Sequence, residues 1–326
     1  MNIIFFGSNE ISGHFLKITS NSYKISLIIT KPDKPAGRGL EIKESVTKKF
    51  GIINNIKVLT PVNLEDRCFL EELTAVKSDL GVVVSYGKLL PETVFSIPKH
   101  GCINVHFSLL PEYRGAAPIQ WSLINGNKTT GVTVFFISDK LDSGKIILQK
   151  SLQILDTDDY FSLEKKLVES GIDCLLESIS RIKEGKTAEF VTTDFNLRGT
   201  MGAKQVYAPA LKKEDGRINW NKPATGICNL YRGLIKWPGI FTDAAGIKNI
   251  KIMKVSIIDE HKIPGYVDKE ANVPGEIIGI IKNTGFAVKC GSGFVLIESV
   301  QPENKKAMPA WPFLQGYNLK TGDRFN

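Results

Sequence analysis

Short, continuously apolar runs separated by amphipathic stretches constrain the first half of this 326-residue chain more than any other feature. Leu80-Gly81-Val82-Val83-Val84 is apolar at every position, as a strand is when helices cover both faces of its sheet. The pattern predicts strands at 2–6, 25–30, 57–59, 80–85, 102–106 and 132–137, with helices at 10–19, 42–50, 65–77 and 115–125. Strands and helices alternating in this way form a mostly parallel α/β sheet. Ligands of such sheets bind beyond the carboxyl ends of the strands.

The pattern changes further along. A helix is expected over 160–184, with Leu163, Leu167, Ile172, Leu175, Leu176 and Ile179 as its apolar stripe and Gly185 as its stop. The stretch that follows has no periodicity. One more helix at 222–234 then precedes short strand candidates at 250–257, 275–281, 285–290 and 293–300, divided by Gly, Pro and Asn turns, the pattern of a small β-barrel. The expected division is a first domain over 1–189, a linker over 190–207 and a second domain over 208–326.

Composition narrows the function classes. No apolar run approaches the ~20 residues that cross a bilayer, and the opening Met1-Asn2-Ile3-Ile4-Phe5-Phe6-Gly7 reads as a first buried strand rather than a secretion leader. The five cysteines, at 68, 102, 174, 228 and 290, are odd in number and lack CxxC spacing, so a cytoplasmic protein without a disulfide framework is expected. The four histidines, at 14, 100, 106 and 261, belong to no cluster with metal-ligand spacing, and no metal is expected. The net charge of +8 is uneven: residues 190–326 hold 19 Lys and Arg against 12 Asp and Glu, whereas 1–189 are nearly balanced. A basic excess confined to the second domain suggests an anionic partner such as nucleic acid.

The chemistry concentrates in Cys102-Ile103-Asn104-Val105-His106. An amide and an imidazole at i and i+2 leave the same face of a strand where it ends, so both reach one atom. Asn supplies an N–H donor, and His supplies a donor or a proton acceptor, the groups that stabilise a carbonyl oxygen as it gains negative charge. Asp142, in Leu141-Asp142-Ser143-Gly144, is placed to orient and charge the histidine. Gly37-Arg38-Gly39 lies in a basic, Pro- and Gly-punctuated loop, but without a following GK[ST] or a GxGxxG fingerprint it is no phosphate cradle.

The block Ser108-Leu109-Leu110-Pro111-Glu112-Tyr113-Arg114-Gly115-Ala116-Ala117-Pro118-Ile119, preceded by Asn-x-His and followed by Leu-Asp-Ser-Gly, resembles the 10-formyltetrahydrofolate-dependent formyltransferase superfamily. The opening IIFFG, the KPDKPAGRG loop, SYGKLLP at 85–91, GRINW and WPGIF extend the similarity over almost the whole chain, nearest to the branch that acts on methionyl-tRNA. The resemblance implies a doubly wound, folate-binding N-terminal domain and an OB-like C-terminal barrel. It implies transfer of formyl from 10-formyltetrahydrofolate to methionyl initiator tRNA, with Asn104, His106 and Asp142 catalytic. The folate lining is then expected from Tyr86, Gly87, Leu89, Leu90, Ser108, Leu109, Leu110, Pro111, Asp139 and Asp142, and the tRNA contacts from Lys31, Lys34 and Arg38. A monomer is expected. The alternative acceptor is a nucleotide-linked amino sugar, and a further reading is a non-catalytic RNA-binding protein. Lys140 stands where the family usually has glycine, and Leu40-Glu41-Ile42-Lys43-Glu44 is more neutral than the family's loop.

Overall fold

The computed structural model describes residues 1–36, 41–186, 191–192, 206–244, 246–266 and 272–326, which divide into two compact units. The first comprises 1–118, 129–153 and 164–209; the second comprises 119–128, 154–163 and 210–326.

The main sheet of the first unit is built from β1 (Asn2–Phe6), β2 (Lys24–Ile29), β5 (Val58–Leu59), β6 (Leu80–Val84), β7 (Cys102–His106), β9 (Thr129–Phe136), β10 (Ile146–Gln153) and β11 (Val191–Thr192). Its order is β11-β10-β9-β7-β6-β1-β2-β5. Pairing is parallel from β5 through β2, β1 and β6 to β7, whereas β9 runs antiparallel to both β7 and β10. Two short ribbons lie apart from it: β3 (Lys34–Ala36) with β4 (Glu41–Lys43), and β8 (Arg114–Gly115) with β12 (Tyr207–Ala208). The sheet is thus mostly parallel, as expected, and β10 is a strand that the sequence pattern did not reveal.

Both faces of the sheet are covered. Successive side chains of β1 point to opposite faces: Ile4 and Phe6 join Leu27, Ile29 and Val83 under Phe69 and Leu73 of α3 (Arg67–Ala75). On α1 (Glu10–Ser22), Ile11, Phe15, Leu16 and Thr19 supply the buried stripe. Helix α2 (Val46–Ile53) starts four residues later than the apolar pattern suggested, because the Ser45 hydroxyl accepts from the Lys48 amide and caps it. Helix α4 (Glu92–Phe95) is a single turn.

The second unit includes α5 (Ile119–Ile124 of Pro118–Ile124), the first turn of α6 (Tyr160–Lys183), α7 (Ala224–Leu234) and an antiparallel sheet. That sheet runs β13-β14-β17-β16-β15, with β18 (Met308–Pro309) on β17, from β13 (Ile240–Ala244), β14 (Ile247–Ile258), β15 (Ile277–Ile281), β16 (Gly285–Lys289) and β17 (Phe294–Gln301). Its two edges are joined through the last residues. Ala244 at the end of β13 bridges Phe325, while Glu276 beside β15 bridges Arg324. The Phe325 amide donates to Gly275 O (2.8 Å) and the Asn326 amide to Asp243 O (2.9 Å). This curls the sheet into a barrel and satisfies edge groups that an open sheet leaves bare. Inside, Phe325 stacks on Phe286 with centroids 5.5 Å apart, near Trp220 and against α8 (Ala310–Gly316).

Since Phe325 is buried where the barrel closes, Phe325→Ala should cost about 3–5 kcal/mol in denaturant unfolding. Ile53→Ala, at a largely exposed position on α2, should stay within about 0.5 kcal/mol of the parent. Equal effects would mean that the terminal segment does not close the barrel.

Candidate active site

The carboxyl ends of β6 and β7 open into a cavity of about 450 Å³, the size of a small-molecule site. Asn104 and His106 from β7, the loop 85–90 after β6, Phe135 on β9, the loop 137–142 after it, and Gly115 with Ala116 line it. Leu89 and Leu141 are exposed large apolar side chains on the lining. Apolar walls around a few polar groups suit a flat, partly polar ligand.

Asn104, His106 and Asp142 converge here although 38 positions separate the outer two in sequence. Asn104 pairs with Val83 on one side and Phe135 on the other, which fixes its backbone in mid-sheet. Among the described residues its side-chain amide has no hydrogen-bond partner, so its N–H groups are available to a ligand.

His106 is 5% exposed. Its Nε2 lies 2.9 Å from the carbonyl oxygen of Tyr113, which can only accept, so Nε2 carries the proton and donates. Its Nδ1 is 3.8 Å from Asp142 Oδ2. Burial pushes the imidazole below its ordinary value of 6.5, opposed by the Asp142 charge and by the Tyr113 carbonyl. The resting ring is therefore neutral at pH 7, with its unprotonated nitrogen turned toward the carboxylate. Asp142 adopts a left-handed backbone (φ 46°), and its Oδ2 accepts from the Gly115 amide at 2.8 Å. Gly115, at φ 127°, is where glycine is required: a Cβ there would sit 2.3 Å from the Ala208 carbonyl oxygen.

Of the expected folate residues, Tyr86, Gly87, Leu89, Leu90, Asp139 and Asp142 line the cavity. Ser108, Leu109, Leu110 and Pro111 are not on its lining. Their polar groups are engaged elsewhere: Thr133 Oγ1 donates to Ser108 O (2.6 Å), Gln149 Nε2 to Leu110 O (2.9 Å), and Ser108 Oγ to Glu112 O (2.6 Å). Leu109 packs on Gly131. The Thr133 and Gln149 bonds tie the turn to β9 and β10. Phe135, Ile137, Ser138 and the Gly115–Ala116 segment line the cavity without having been anticipated. Lys31 lies beside Gly87, Lys34 is described only by its place on β3, and Arg38 lies outside the described residues. No cluster of three or more His, Cys, Asp or Glu suited to a metal forms among the described residues.

The formyl transferase family matches residues 1–179, and the formyl transferase C-terminal domain matches 210–318. A methionyl-tRNA formyltransferase of Thermodesulfovibrio yellowstonii is 39% identical over 98% of this chain and 97% of its own length. One from Syntrophus aciditrophicus is 39% identical over 99% and 98%. The chain belongs to the methionyl-tRNA formyltransferase family. Among solved structures, an N-formyltransferase from Helicobacter canadensis, in complex with folinic acid and dTDP-3-aminofucose, superposes with a TM-score of 0.62 at 21% identity. It covers 90% of this chain and 98% of its own, a likeness of fold.

Because the folded imidazole titrates below 6.5, the unfolded chain binds more protons than the folded one as pH falls through that value. The associated stability is complete above pH 6.5 and lost below it. His106→Gln has no such proton to take up, so its stability relative to the parent should rise between pH 7 and pH 5 in denaturant titrations. A constant difference would mean that His106 is not buried neutral.

Proposed function

We propose that this protein transfers the formyl group of 10-formyltetrahydrofolate to the α-amino group of methionyl initiator tRNA, in the cytoplasm, for the initiation of protein synthesis. The convergence of Asn104, His106 and Asp142 on one cavity carries the chemical part of this reading. Relatives that match this chain over nearly their whole length, named for methionyl-tRNA, support the acceptor.

When bound, the folate supplies an activated formyl group; the residues here supply placement, charge stabilisation and a path for the proton. The cavity suits such a donor. Leu89 and Leu141 offer apolar contact to a flat ring, and the loops 85–90 and 137–142 offer backbone groups to its edge.

An α-amine titrates near 8, and its ester neighbour lowers that further, so a neutral nucleophile is available without a strong base. As it adds to the formyl carbon, negative charge builds on the formyl oxygen, and the Asn104 amide N–H is the donor in place for it. His106 takes a different part from the oxyanion donor that sequence alone suggests. Its Nε2 proton is committed to the Tyr113 carbonyl, leaving Nδ1 to accept the proton shed by the amine. Once that proton arrives, Asp142 at 3.8 Å stabilises the imidazolium. The proton is then available to the departing folate nitrogen.

The tRNA is bound through its phosphates by the basic second unit, where Lys248 and Lys251 are exposed on β14. Arg38, Lys34 and Lys31 are assigned to the acceptor end.

The deciding assay follows labelled formyl from 10-formyltetrahydrofolate to methionyl initiator tRNA, with a nucleotide-linked amino sugar in parallel. Labelled tRNA supports the proposal, and labelling of the sugar alone overturns the acceptor. Asn104→Ala should lower turnover on the order of 100- to 1000-fold. Since the Asp142 charge raises the His106 pKa, Asp142→Asn should lower kcat and move the acid limb of the pH–rate profile toward lower pH. A limb that stays in place would separate Asp142 from His106.

A further inference from the structure

Residues 206–208 fall between the two family domains, which end at 179 and resume at 210. By sequence, 206 and 207 end the expected linker and 208 opens the second domain. In the structure, Tyr207 and Ala208 form β12, which pairs in parallel with Arg114 and Gly115 of β8. The Tyr113 amide donates to Val206 O at 2.7 Å, and the Ala117 amide donates to Ala208 O at 3.2 Å. Ala208 is fully buried.

The segment held in this way supplies both backbone anchors of the proposed proton-transfer pair. Tyr113 O accepts from His106 Nε2, and Gly115 N donates to Asp142 Oδ2. Residue 113 hence faces Val206 with its N–H and His106 with its C=O, while residue 115 lies between Ala208 and Asp142. The close approach of Gly115 to the Ala208 carbonyl leaves the ribbon no space for a side chain.

We infer that Val206–Ala208 is a positioning element of the catalytic centre: a strap that pairs with loop 113–117 and thereby sets the distance and orientation of His106 and Asp142. The inference rests on the roles proposed above for those two residues. The strap touches neither acceptor nor donor. Its loss should therefore appear in kcat, while KM for folate and for tRNA stays the same.

The test uses full-length Ala208→Pro, which removes a backbone N–H from the ribbon, and Gly115→Ala, which forces a Cβ against the Ala208 carbonyl. Hydrogen exchange at the Tyr113 and Ala117 amides reports whether the strap has been released. Single-turnover formyl transfer is measured in each variant, alone and combined with His106→Ala. Released amides, a protein that remains folded by circular dichroism, KM values unchanged in Ala208→Pro and a fall in kcat on the order of 10- to 100-fold are expected. In the His106→Ala background the further fall should be much smaller, because the strap acts through that ring. Three results would overturn the inference: released amides with kcat within about twofold of the parent, equal losses in both backgrounds, or a fall in kcat while the amides stay protected. Full activity of His106→Ala alone would instead overturn the catalytic assignment, while the exchange data would still report the strap.

Discussion

One hydrogen bond, from His106 Nε2 to the carbonyl of Tyr113, determines what the rest of the site can do. It holds the ring, selects the tautomer and turns Nδ1 toward Asp142. Burial keeps the ring neutral, and the carboxylate 3.8 Å away makes the charged form accessible when a proton is delivered. Neither effect suffices alone. A buried imidazole without Asp142 would resist the proton, whereas an exposed imidazole beside Asp142 would already hold it at neutral pH.

The surrounding architecture presents the Tyr113 carbonyl and the Gly115 amide at the right places. The parallel strands β6 and β7 bring Asn104 and His106 to the rim of the sheet. Antiparallel β9 returns the chain so that Asp142 reaches the same rim. The turn 108–111, braced by Thr133 and Gln149, carries the chain from His106 to Tyr113. Catalytic groups on strand ends and anchored loops keep their geometry better than groups on free loops would.

Much of this was readable in the sequence, for definite reasons. A period of two places Asn104 and His106 on one face, and continuous apolar runs such as 80–84 mark strands covered on both sides. What stayed hidden depended on contacts between distant segments. Strand β10 was missed because only its first half is apolar; from Lys150 to Gln153, half-buried and exposed positions alternate under mostly polar residues. The barrel closure rests on backbone pairing by Arg324 to Asn326, which no residue type announces. The bonds from Thr133 and Gln149 to the carbonyls of Ser108 and Leu110 likewise join segments far apart in the chain. The anchors of His106 and Asp142 are main-chain groups, and only Gly115 leaves a trace of them in the sequence.

The protonation state of His106 in the free, full-length protein can be read from the imidazole nitrogens by ¹⁵N NMR at pH 7, with the signals assigned through His106→Gln. A neutral ring with its proton on Nε2 and a titration midpoint below 6.5 is expected. A ring that is doubly protonated at pH 7, or that carries its proton on Nδ1, would contradict it.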